Sequence, residues 1–155
     1  MKILALDLAT KTGWAVYGSH ITDKKVVSGV QVFDVKRGES PGMRFLRCRS
    51  FLNELFDMAR PNVIVYEQAH HRGGAATRCG VGLVTVVLEF AAQHKIATMS
   101  VHSATLKKWA TGSGRANKGD MIKTCISRGY QPQDDNEADA ILLLLYAVEE
   151  LGGGA

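Results

Sequence analysis

Two short apolar runs constrain the fold more than anything else in the chain. "ILALD", ending on Asp7, and "NVIVYEQ", carrying Glu67, are hydrophobic at consecutive positions and then stop on a carboxylate. Strands of this kind belong to sheets covered on both faces. Between them lies "PGMRFLRCRSFLNELFDMARP", bracketed by Pro41 and Pro61, with Phe45, Leu46, Leu52, Leu55, Phe56 and Met58 at helical spacing and Arg44, Arg47 and Arg49 largely off the stripe. An amphipathic helix there is the crossover that a parallel pair of strands requires. Neighbouring strands run about 4.8 Å apart, so Asp7 and Glu67 at matching strand ends can share one cation.

The remaining elements follow from pattern. "LATKTG", with Thr10, Thr12 and Gly13, is a loop, and "WAVYG" and "KVVSGVQVFDV" alternate well enough to form an antiparallel meander with the first strand. After Glu67 the polar loop "AHHRGGAATRCG" leads to the helix "VGLVTVVLEFAAQHK", the strand "IATMSV", and a short helix "HSATLKKWAT" capped by Ser103. A flexible basic loop "GSGRANKG", the helix "DMIKTCISRGY", the break "QPQDD" and the apolar helix "NEADAILLLLYAVEEL" complete the chain, with residues 151–155 a frayed tail. The order predicts an α/β fold: a mixed five-stranded central sheet flanked by helices on both faces. With 155 residues, 46% hydrophobic, and no repeat or linker, residues 1–155 read as a single domain.

Charge and cysteine content narrow the class only a little. A net charge of +4 suits a polyanion partner without requiring one. Cys48, Cys79 and Cys125 are odd in number and widely spaced, which suggests neither a disulfide framework nor a zinc site. Reduced thiols, a strand rather than a signal peptide at the N-terminus, and no apolar run approaching the ~18 residues of a membrane span point to a cytoplasmic protein without membrane contact.

The acidic residues carry the chemistry. In "DDNEAD" a helix places Asp135 and Asp139 on one face, and Asn136 and Asp139 also share one. An acid at the end of an element commonly serves a turn or complements a helix dipole. Two strand-end acids and an acidic helix start within one mixed-sheet pattern point instead to hard oxygen ligands for Mg²⁺ or Mn²⁺.

"ILALDLATKTGWAV", "VIVYEQAHHRGGAATRCGVGLV", "LKKWATGSGRANKGDMI" and "DNEADAILLLLYA" together resemble the RuvC family of Holliday junction resolvases, members of the RNase H-like superfamily, and in particular its compact phage-encoded branch. The resemblance spans essentially the whole chain. It implies an RNase H-like fold and a structure-selective endonuclease that resolves Holliday junctions or other branched DNA by two-metal-ion phosphodiester hydrolysis. It further implies a four-carboxylate site in which Asp7 bridges two Mg²⁺ or Mn²⁺ ions beside Glu67 and Asp139. The family commonly has an acid or a histidine three residues before the final aspartate, where this chain has Asn136; Asp135 is therefore assigned as fourth ligand, with Asn136 or Asp134 as substitutes. By the same resemblance Lys107 and Lys118 contact phosphate near the scissile bond and join the catalytic set. Beside such a site Lys108 and Arg115 also read as DNA contacts, and His70, His71 and Arg72 would overhang the cleft, with His70 where the family can insert an aromatic wedge.

Trp14 and Trp109 read as packing residues. The helix "GVGLVTVVLEFAA" is apolar around much of its circumference and must bury its outer face; the equivalent RuvC helix builds a two-fold homodimer, which would place two sites on a symmetric junction. Competing functions are an ATP-binding module of sugar-kinase type, for which 155 residues leave no second copy of the fold and hence no nucleotide cofactor, a noncatalytic DNA-binding protein, and a YqgF-like or general branched-nucleic-acid nuclease.

Overall fold

The computed structural model describes residues 1–18, 26–68 and 73–152. Five strands, β1 (Ile3–Asp7), β2 (Lys11–Tyr17), β3 (Val26–Val32), β4 (Val63–Glu67) and β5 (Ala97–Val101), form one sheet in the order β3-β2-β1-β4-β5. β1 pairs antiparallel with β2, and β2 with β3; β4 lies parallel to both β1 and β5. The five helices are α1 (Met43–Ala59), α2 (Gly74–Gln93), α3 (Ser103–Thr111), α4 (Lys118–Ser127) and α5 (Asp135–Glu150). The mixed five-stranded sheet with helices on both faces is the architecture that the element order predicts.

Alternation along the strands sorts the core into two layers. Leu4, Leu6, Val16 and Ile64 point to one face and pack with Leu52, Leu55, Leu83, Val87 and Phe90 of α1 and α2. Ile3, Ala5, Ala15 and Val65 point to the other and pack with Ala138, Ile141, Leu142 and Leu145 of α5 and with Leu106 and Met121 of α3 and α4. A period of two along each strand therefore puts Asp7, following Ile3 and Ala5, and Glu67, following Val65, on the face of α5. The β1–β4 register ends at Leu6–Tyr66, so the two acids come one step beyond it, side by side.

Several local expectations need correction. α2 begins at Gly74, so "GAATRCG" is helical; small side chains without apolar periodicity hide its first two turns. α3 is preceded by His102 in extended conformation, and Ser103 is its first helical residue, with no side-chain cap. α4 starts at Lys118 rather than after the basic loop, because the Asn117 side chain accepts from the Asp120 N–H at 2.8 Å while Asp120 accepts from the Asn117 N–H at 3.0 Å. In α1, Leu46 is exposed, whereas Cys48 and Phe51 are buried. α2 also revises the reading of apolar runs: its 20 residues have a window of mean hydropathy 1.5, enough by length and composition alone for a membrane span. Leu83, Val86, Val87, Phe90 and Ala91 nevertheless bury one side of it in the core. Trp14 packs edge-on against Phe51, and Trp109 against Tyr146 with its indole N–H donating to Glu149 at 3.0 Å. Cys48, Cys79 and Cys125 are free thiols.

Candidate active site

Asp7, Glu67 and Asp139 each offer a carboxylate oxygen, and these atoms all lie within 4.8 Å of one another. β1 and β4 deliver the first two. α5 delivers the third by crossing the same end of the sheet. A cleft of about 510 Å³ opens over Asp7 and Glu67, walled by Gly73, which precedes α2, by Ala76, Thr77, Gly80 and Val84 of α2 and by Lys107 of α3. Small residues at helical spacing on that wall keep it open.

The electrostatics are those of acids crowded together and partly withdrawn from water. Burial, then the charges of Glu67, Asp139, Asp135 and Asp134, push the Asp7 carboxyl well above the ordinary range. Burial and the Asp139 charge raise Glu67 to about 7, with Lys107 opposing. Asp139 rises to about 6 through burial and the charge of Asp135, with Lys107 and Lys118 opposing. One buried oxygen of Asp139, Oδ1, has no hydrogen-bond partner among the described residues. A buried acceptor without a donor costs on the order of 1–3 kcal/mol, a cost that coordination of a cation removes. Clustered hard oxygens, one of them unpaired, fit Mg²⁺ or Mn²⁺ better than a soft or nitrogen-preferring metal.

The start of α5 separates the three residues that could supply a further ligand. Asp134 is the N-cap: its side chain accepts from the Glu137 N–H at 2.9 Å, and its other oxygen pairs with Lys11 Nζ at 2.8 Å. Burial would raise Asp134, but Lys11, the Glu137 N–H and Asn136 outweigh it and hold the carboxyl low. Asp135 is the first helical residue, one turn before Asp139, and faces Lys118 Nζ at 3.6 Å. Glu137, which pattern alone does not distinguish from its acidic neighbours, is buried and structural: it accepts from Ser28 Oγ and from the Gln133 N–H, both at 3.2 Å.

Lys107 lines the cleft, and Lys118 stands at the N-terminus of α4 opposite that of α5. Lys108 and Arg115 are exposed nearby in sequence and do not line the cleft. His70, His71 and Arg72 lie outside the described residues.

No family model matches the chain. The crossover junction endodeoxyribonuclease RuvC of Prochlorococcus marinus (strain MIT 9312) is 24% identical over 156 residues, covering 98% of this chain and 99% of the relative. The protein of the same name from Pseudarthrobacter chlorophenolicus is 26% identical over 160 residues, covering 100% of this chain and 83% of the relative. Among solved structures, T. thermophilus RuvC in complex with Holliday junction substrate superposes with a TM-score of 0.79 at 19% identity, over 99% of this chain and 96% of that one. The fold is that of RuvC, the RNase H-like one.

Proposed function

We infer that this chain is a RuvC-family resolvase, a metal-dependent endodeoxyribonuclease that cuts Holliday junctions. The observation that carries the reading is the cluster of Asp7, Glu67 and Asp139 at one end of a RuvC-like sheet. With Asp135 one turn away, four carboxylates would hold two Mg²⁺ or Mn²⁺ ions. Bound there, divalent cations lower the pKa of the attacking water and offset charge on the leaving 3′-oxygen. The protein's own side chains do the rest. Asp7, at the centre of the acids, would contribute to both ion positions. Lys107 projects into the same cleft and would hold a phosphate oxygen beside the reacting centre. Lys118, exposed along most of its length, would exchange its contact with Asp135 for phosphate once a cation satisfies that carboxylate.

Binding of branched DNA would extend outward from this cleft. Lys108 and Arg115 supply positive charge on the α3–α4 side, and His70, His71 and Arg72, directly after Ala69, are assigned from the sequence to the junction-facing loop. A homodimer fits α2, whose Val81 and Leu88, two turns apart, are 42% and 41% exposed. An isologous pairing through that face would cover them and present two clefts to a symmetric four-way junction.

The test is cleavage by purified protein of matched four-way, three-way, linear duplex and RNA/DNA hybrid substrates, with Mg²⁺, with Mn²⁺ and with chelator. The reading expects symmetric cuts in the four-way junction that vanish without metal. Equal cutting of all four substrates would make it a general nuclease. No cutting with intact junction binding would make it a DNA-binding protein of the same fold.

A further inference from the structure

We propose that Gly13 is a positioning residue for the cleft: its missing side chain sets how closely α5 approaches the sheet, and so how far Asp139 stands from Asp7. The proposal rests on the reading that these carboxylates hold a cation. Gly13 is paired in register with Asp7 across the β1–β2 ladder and sits on the face of the sheet that α5 covers. Its φ lies outside the left-handed region, so backbone freedom does not explain a glycine there. Space does. A Cβ built on Gly13 would fall inside the contact distance of the Asn136 carbonyl oxygen and carbon, and 3.0 Å from the Glu137 nitrogen.

The obstacle would be backbone, which cannot turn aside as a side chain can. Asn136 belongs to the first turn of α5, between Asp135 and Asp139. Along β2 the residues facing α5 shrink toward the cleft, from Tyr17 to Ala15 to Gly13, as expected if the helix dips onto the sheet at its N-terminal end. β2 cannot retreat, since it is hydrogen-bonded to β1 on one side and β3 on the other. An ordinary carbon–oxygen contact is about 3.3 Å or more, so an alanine would lift the helix start by roughly an ångström. Metal–oxygen distances tolerate only ~0.2 Å. The same step would pull Asp139, and Asp135 with it, out of a shared coordination sphere.

The experiment compares wild type, Gly13→Ala and Gly82→Ala by Mn²⁺ titration calorimetry without DNA and by single-turnover junction cleavage against Mn²⁺ concentration. Gly82 is the control: a Cβ there would press on the Phe45 ring, away from the acids. Gly13→Ala is expected to need at least ~10-fold more Mn²⁺ at half-saturation, while Gly82→Ala loses stability and keeps the wild-type midpoint. Because a longer side chain can span the opened gap, Asp139→Glu should partly restore Mn²⁺ binding in Gly13→Ala while weakening it in wild type. A folded Gly13→Ala with wild-type Mn²⁺ affinity overturns the proposal. Should that variant melt below the assay temperature, Ala15→Val, which adds methyl groups under the same helix one step further from the cleft, is read instead, and an unchanged midpoint there overturns it too. If wild type itself binds no Mn²⁺, the metal reading fails, not the role of Gly13 in seating the helix.

Discussion

The two faces of the sheet are built for different ends. Under α1 and α2 the contacts are large and mostly apolar, with Leu4, Leu6, Leu52, Leu83 and Phe90 all fully or nearly buried. Under α5 the strand residues dwindle to Ala5, Ala15 and Gly13, and the layer ends in half-buried acids that repel one another. Burial of a Leu or Phe side chain contributes about 1.5–3 kcal/mol, whereas crowded carboxylates cost stability. One face therefore supplies the free energy that the other spends on holding a destabilised constellation in place. Activity and stability should separate when the two faces are mutated.

The strongest test of that separation removes an acid. Asp7→Asn, Glu67→Gln and Asp139→Asn should each lower metal-dependent cleavage by at least about 10³-fold while junction binding survives. Without metal, the same variants should melt at or above the wild-type temperature, because a like-charge contact is gone. Wild-type turnover in any of them, with folding confirmed by circular dichroism, would remove that residue from the site. Leu52→Ala should show the reverse: a loss of about 2–5 kcal/mol in denaturant unfolding with an unchanged single-turnover rate for the folded protein. A rate that falls in step with stability would mean that the two faces are not separable.

A finer test lies within the α5 face. Asp134 caps the helix and pairs with Lys11, whereas Asp135, met by the exposed Lys118 at 3.6 Å, stands one turn before Asp139. Asp135→Asn should raise the Mg²⁺ requirement by roughly 10- to 100-fold, and Asn136→Ala should do little. Severe loss in Asn136→Ala with near-normal Asp135→Asn would move the fourth ligand to the amide.

How much of this was legible beforehand depended on whether a feature is local. β1 and β4 announce themselves because apolar runs stop on Asp7 and Glu67, and strand alternation then assigns both acids to one face. The capping box of α4 was also present as Asn117 and Asp120, but glycine and basic residues around it read as loop. The start of α2 could not be read, since "GAATRC" has no apolar period to reveal a helix. Gly13 was visible only as loop glycine. Its meaning lies in contact with Asn136, more than a hundred residues away, and no local pattern encodes that.

The smallest effect concerns pH, and it tests the cost assigned to the α5 face directly. Glu67 at about 7 and Asp139 at about 6 bind protons in the folded state at pH values where the unfolded chain, with ordinary carboxyls near 4, has released them. Asp7 is shifted in the same direction. Between about pH 4.5 and 7 the native protein therefore holds more protons than the unfolded one, and metal-free stability must fall as pH rises through that window. Glu39, held low by Arg47, and Asp134, held low by Lys11 against its burial, act in the opposite sense, but only as pH falls below the ordinary carboxyl range. Melting in chelator should thus give a Tm several degrees higher near pH 5 than near pH 7.5, given that ~1 kcal/mol moves a domain of this size by about 2–4 °C. Saturating Mg²⁺ favours the ionised acids, so it should flatten or invert that slope, and Asp7→Asn should weaken both the slope and the response to Mg²⁺. A metal-free Tm that climbs steadily from pH 5 to 7.5 would show that the acids impose no cost, and the contrast between the two faces would have to be abandoned.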